Sequence, residues 1–140
     1  MNNTNMEQKL FIAMLFGQMF VFAVVRLISP NDEFVSDTSM MWMIGTAALV
    51  GGFIISNSLK RKNVNALSSS TEADKSVLYQ SSRTNYMARL GLMEGAVILN
   101  IVLCYLDQNN YLIYNALVGV FLFVMMRQTP EEKEVFDTKL

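Results

Sequence analysis

The sequence predicts an all-α fold, an integral membrane four-helix bundle, and three observations predict it. Of its 140 residues 52% are hydrophobic, with a mean hydropathy of +0.30. Only 16% are charged, below the roughly 25% usual in soluble chains. The charges also gather between four long apolar runs that hold few or no charges, at about 10–28, 41–59, 87–106 and 111–126, near the ~20 residues an α-helix needs to cross hydrocarbon. The chain is too short for two ordinary globular domains, so residues 1–140 read as a single membrane domain.

The first run, 10–28, opens like a signal peptide with Lys9 before an apolar stretch. No A-x-A pattern follows and Arg26 interrupts the far end, so an uncleaved first span is expected. The second, 41–59, starts with Trp42 and closes at Lys60, Arg61 and Lys62, an aromatic and a basic interfacial anchor. Residues 60–85 form a polar segment. Ser69 and Glu72 are spaced as a capping box, which predicts a third helix beginning near Ser70 and projecting from the membrane. The alternative is a flexible Ser-rich loop over 68–71 with a later helix start. The third and fourth spans are separated by Asp107, Gln108, Asn109 and Asn110, which fits only a tight helical hairpin. The fourth is short, with Tyr111 and Tyr114 at one interface and Arg127 snorkelling at the other. A tail at 127–140 follows.

Ten of the eleven Lys and Arg residues (Lys9, Lys60, Arg61, Lys62, Lys75, Arg83, Arg89, Arg127, Lys133, Lys139) fall on one side of these spans. Arg26 falls on the other, along with Asp32, Glu33, Asp37 and Asp107. The positive-inside rule then puts both termini, the polar segment and the tail in the cytoplasm. Arg26 is expected to snorkel outward toward Asp32 or Glu33.

Composition also narrows the function. A net charge of −1 argues against nucleic acid, which demands a basic face. There is no histidine and Cys104 is the one cysteine, so no His/Cys ligand set exists for zinc, haem or an iron–sulfur cluster. No resident cofactor or metal is expected. Cys104, in an apolar run, reads as a small hydrophobe. The eleven Met residues read as flexible filler between helices. No nucleophile and base are visible together, so no enzyme is expected.

Small residues suggest where helices meet. Ala13 with Gly17, Ala48 with Gly52, and Gly91 with Gly95 each place two small side chains on one helical face, where backbones can approach closely. Ala13 and Gly17 fall on Gly91 and Gly95 when shifted by 78 positions, and residues 48–53 match 116–121 at five of six positions. That suggests two parallel-repeat helical hairpins, related by an axis along the membrane normal. The other reading is chance recurrence of Leu, Val, Gly and Phe in apolar helices.

Glu94 stands inside the third span, ~7.5 Å along the helix from Arg89 at 1.5 Å per residue. A charge there costs a few kcal/mol, so Glu94 must be protonated, paired or facing a watery cavity. Gln18 is the expected polar partner. Together they form a candidate intramembrane ion or proton site, or else Glu94 is a hydrogen-bonded acid pinning two helices. Asn100 and Thr46 are expected to make interhelical hydrogen bonds.

The run from Ala88 to Ala96, centred on Glu94-Gly95, together with Arg127-Gln128-Thr129-Pro130, the ending Asp137-Thr138-Lys139-Leu140 and Ile12-Ala13-Met14-Leu15-Phe16-Gly17-Gln18, resembles an uncharacterised bacterial family of small four-helix membrane proteins. The resemblance implies the inner membrane and brings no activity. Gly45, Gly51 and Gly52, the Lys60–Lys62 loop and Glu94 are loosely similar to the rotary ATPase proteolipid subunits. The long polar segment, the missing Arg-Gln-Pro motif and the early position of Glu94 depart from that pattern. The expected function is a non-enzymatic subunit or scaffold, with the lipid bilayer and either a homo-oligomer or a larger membrane complex as partners. The alternative is a small proton- or cation-coupled transporter or proteolipid-like protein using Glu94, as in four-helix drug exporters. Those carry their acid in the first span, where this chain has Gln18.

Overall fold

A computed structural model of the chain describes residues 6–28 and 38–137, the side chains at 72, 73, 75 and 76 excepted. The fold is all-α, with five helices and no strand among these residues: α1 Met6–Ile28, α2 Met40–Ser68, α3 Glu72–Asp107, α4 Asn110–Met125 and α5 Pro130–Asp137. Three of them, α1, α2 and α3, are long and apolar enough to cross a membrane. At 16 residues α4 reaches span length only when taken with α5, to which it is bent by 59°.

α3 is the central element and packs against all four others. Its buried residues Ser82, Tyr86, Leu90, Met93, Val97, Asn100 and Cys104 recur at steps of four or three, the spacing of a helix with one continuous inward seam. α2 answers with Leu49, Ser56, Asn63 and Leu67. That seam runs past the expected end of the second span. No Gly or Pro interrupts residues 60–68, so α2 continues through Lys60–Lys62 to Ser68, and the polar segment is built from the ends of two helices.

α3 begins two residues later than expected. Its capping box is Thr71 with Asp74, the Thr71 amide and hydroxyl reaching Asp74 Oδ2 at 3.2 and 2.6 Å, in place of Ser69 with Glu72. Ser69 instead closes α2, its hydroxyl donating to Asn65 O. The Thr71 bonds hold the Asp74 carboxyl below the usual carboxylate range. A depressed value means that the cap is intact at neutral pH and is lost as pH falls through it.

The expected hairpin between α3 and α4 is present. Gln108 turns the chain at φ 48, its amide bonded to Cys104 O at 2.8 Å. The Asn109 side chain then accepts from Tyr111 N and opens α4. Ser39, the N-cap of α2, donates to Asp107, and Trp42 lies against Tyr111 with ring centroids 6.1 Å apart, so this end of the bundle is fastened as well.

Close approach occurs at glycines other than those singled out. A Cβ on Gly119 would stand 2.7 Å from Val97 Cγ2 and 3.0 Å from Leu49 Cδ1, and one on Gly45 would meet Asn100 Oδ1 and stand 2.8 Å from Leu112 Cδ2. At Gly52 the crossing is ordinary, 3.4 Å from Leu92 O. Gly91 and Gly95 have nothing within 4 Å and Ala13 is exposed, so the close approaches expected there are not made, while a Cβ on Gly17 would be in ordinary contact with the Glu94 side chain at 3.9 Å. The matched segments also differ in surroundings. Leu49 is buried but Leu117 exposed, and Gly51 faces open space where Gly119 is packed tightly.

Candidate functional site

The residues singled out from sequence lie at the α1–α3 seam. Glu94 is partly exposed, its Oε1 3.9 Å from where a Cβ on Gly17 would be, and it makes no hydrogen bond or ion pair among the described residues. Gln18 is wholly buried, yet neither its amide nitrogen nor its oxygen has a hydrogen-bond partner. The expected bond between the two is not formed. A buried amide without partners costs about 1–3 kcal/mol per group, so Gln18→Leu, which keeps the bulk and removes both polar atoms, is expected to raise the midpoint of thermal unfolding. A fall would show that the amide has a partner in the folded protein.

Asn100 and Thr46 do bond between helices. Asn100 Nδ2 reaches Gly45 O at 3.0 Å, and Thr46 Oγ1 accepts from Asn115 Nδ2 at 2.8 Å. Arg26 borders a small apolar hollow with Phe22, Cys104 and Tyr105, while Asp32 and Glu33 lie outside the described residues.

A second, larger cluster sits where α2, α3 and α5 meet. Arg89 and Glu132 are both completely buried, with Arg89 Nη2 2.8 and 2.9 Å from the two Glu132 oxygens. Asn63 Nδ2 donates to Glu132 Oε1 at 2.6 Å and also lies within 2.9 Å of Ser82 Oγ. Thr129 N donates to Glu132 Oε2 at 3.0 Å, and Glu132 N to Thr129 Oγ1 at 3.3 Å. Glu132 is therefore at once the third residue of a capping box that starts α5 and the counter-ion of a cation on α3. The Tyr86 ring supports the guanidinium from one face, 5.2 Å from centroid to Cζ. Arg89 Nε and Nη1 and the Tyr86 hydroxyl are buried without hydrogen-bond partners.

Neighbouring links bind the same end of the bundle. Glu7 of α1, 4% exposed, lies 3.1 Å from Arg83 Nε. Lys60 Nζ donates to Met125 O at 2.8 Å, taking up a carbonyl in the last turn of α4. Phe136 packs edge-on against Tyr79 and tilted against Tyr86, with centroids 5.9 Å away in each case, and Phe11 stacks on Phe123 at 5.2 Å.

From sequence Arg89 counts only among the cytoplasmic basic residues and 127–140 reads as a tail, so this cluster is missed. The signal was there in Thr129-Pro130-Glu131-Glu132, with an N-cap hydroxyl, Pro at the first helical position and Glu at the third, followed by Val135 and Phe136 for a buried face. Comparisons with protein families, curated proteins and solved structures found no match.

Proposed function

We propose that the chain is a multi-pass protein of a bacterial inner membrane, crossing it four times with both ends cytoplasmic, and that it serves as a non-enzymatic subunit or scaffold in a membrane assembly. The observation that carries this is the Arg89–Glu132 link. The strongest charges inside the bundle are spent on fixing α5 to α2 and α3, which makes a rigid platform of one end of the molecule. The membrane setting is supported by α1, whose only buried residues are the polar Glu7 and Gln18 while Phe16, Phe20 and Leu27 are 70, 70 and 85% exposed. A helix with polar residues in and apolar residues out suits hydrocarbon and would be an aggregation site in water.

A second reading, ion or proton coupling through Glu94, is favoured by one observation: an unpartnered carboxyl beside Gly17, next in sequence to the unsatisfied amide of Gln18. Flux measurements on the purified protein in liposomes separate the two. The scaffold reading expects wild type and Glu94→Gln to give the same background proton and cation leak, and native mass spectrometry in nanodiscs to show an assembly. Flux present in wild type and abolished by Glu94→Gln would overturn it.

A further inference from the structure

A cavity of about 200 Å³ opens between the start of α1 and the α4–α5 corner, away from Glu94. It is lined by Gln8, Phe11 and Ile12 from α1, Tyr86 from α3, and Arg127, Gln128 and Lys133 from the corner. Two cations thus face one small space with no carboxylate among its lining residues. The nearby acids are engaged elsewhere, Glu132 with Arg89 and Glu7 with Arg83. Neither Arg127 nor Lys133 joins an ion pair among the described residues. Tyr86 is completely buried and is one of the residues lining this cavity, and its hydroxyl has no hydrogen-bond partner. A buried O–H without an acceptor is costly, and an anion in the cavity would supply one.

We infer that this cavity is a binding site for the phosphate of an anionic phospholipid, held by Arg127 and Lys133 with the Tyr86 hydroxyl donating to a phosphate oxygen. The apolar side of the site selects a lipid over a free anion. Ile12 forms part of the cavity wall, and the exposed Phe16, Phe20 and Leu27 continue from it along α1. That stripe runs about 22 Å at 1.5 Å per residue, longer than the ~15 Å of hydrocarbon in one leaflet, so an acyl chain can lie along it once the headgroup is seated. The site rests on the membrane reading above and would lie at its cytoplasmic interface, where anionic lipids and basic residues meet.

Native mass spectrometry of the detergent-purified protein, titrated with phosphatidylglycerol, phosphatidylcholine or inorganic phosphate, tests the site. One phosphatidylglycerol should bind in preference to phosphatidylcholine. Arg127→Gln with Lys133→Gln, both at exposed positions, should weaken it about 30-fold, taking two basic side chains at their usual worth near a lipid surface. Tyr86→Phe, which keeps the ring over Arg89, should weaken it about 10-fold. Equal binding of the two lipids, or unchanged phosphatidylglycerol binding by the double variant, would overturn the site. So would saturation by inorganic phosphate that leaves no lipid preference. Fractionation of cells distinguishes the two failures, because a chain that stays in washed membranes yet lacks the preference refutes the lipid site alone. Recovery in the soluble fraction refutes the membrane reading with it.

Discussion

Glu132→Ala is expected to destabilise the folded protein by about 3–5 kcal/mol, the usual consequence of leaving one member of a buried ion pair without the other. Arg89 would remain wholly enclosed, with the Tyr86 ring and no carboxylate to balance its charge. Asn63 would keep Ser82 as an acceptor but lose the Glu132 carboxylate, and α5 would lose its capping box. The loss should be concentrated at the end of the chain. Hydrogen exchange over residues 130–137 should rise far more than over α4, because α5 is held by Val135, Phe136 and this link. Arg89→Met combined with Glu132→Leu should recover most of the stability, since well-packed apolar residues often replace a buried pair without loss. Equal destabilisation by the single and double variants would mean that the charges themselves, and not their mutual need, hold the helix.

Gly119→Leu should have the next largest effect, about 3 kcal/mol or more of destabilisation from overpacking and backbone displacement. The first carbon alone would stand 2.7 Å from Cγ2 of Val97. Val97 is fully buried, and a β-branched side chain in a helix has little freedom to turn aside. Gly95→Leu is the matched control. Nothing lies within 4 Å of a Cβ there, so its unfolding midpoint in detergent should stay close to wild type. Similar losses at the two positions would place α1 or another helix against Gly95.

The sequence carried the helices well because the signal for them is physical and local. Apolar runs about as long as the hydrocarbon is thick leave few other structures available, and α1 and α4 end at or within one residue of where those runs do. The turn at Gln108 and Asn109 was legible because four polar residues between two apolar helices leave room for nothing longer. Charge misled elsewhere. Lys60, Arg61 and Lys62 looked like the end of a helix, but a helix has no need to stop where the hydrocarbon does, and the buried face of Asn63 and Leu67 carries α2 on to Ser68. Arg89 and Glu132 are 43 positions apart, and no periodicity links two charges on different helices. Only the fold brings them together. The small-residue stripe at Gly91 and Gly95 misled for a related reason, while Gly52 does lie against α3. Spacing shows which glycines share a face of one helix, while which face meets a neighbour is settled by the other helices, and here Gly45 and Gly119 were chosen over Gly91 and Gly95.

Single cysteines at positions 8, 62, 110 and 137 in a Cys104→Ala background test the central claim, a four-span membrane protein with both ends cytoplasmic, most directly. A membrane-impermeant thiol reagent applied to intact cells or spheroplasts should label position 110, at the turn between α3 and α4. Positions 8, 62 and 137 should be labelled only after the membrane is opened. Labelling of 62 and 110 from the same side, or of all four positions in cells whose membranes hold none of the chain, would contradict it.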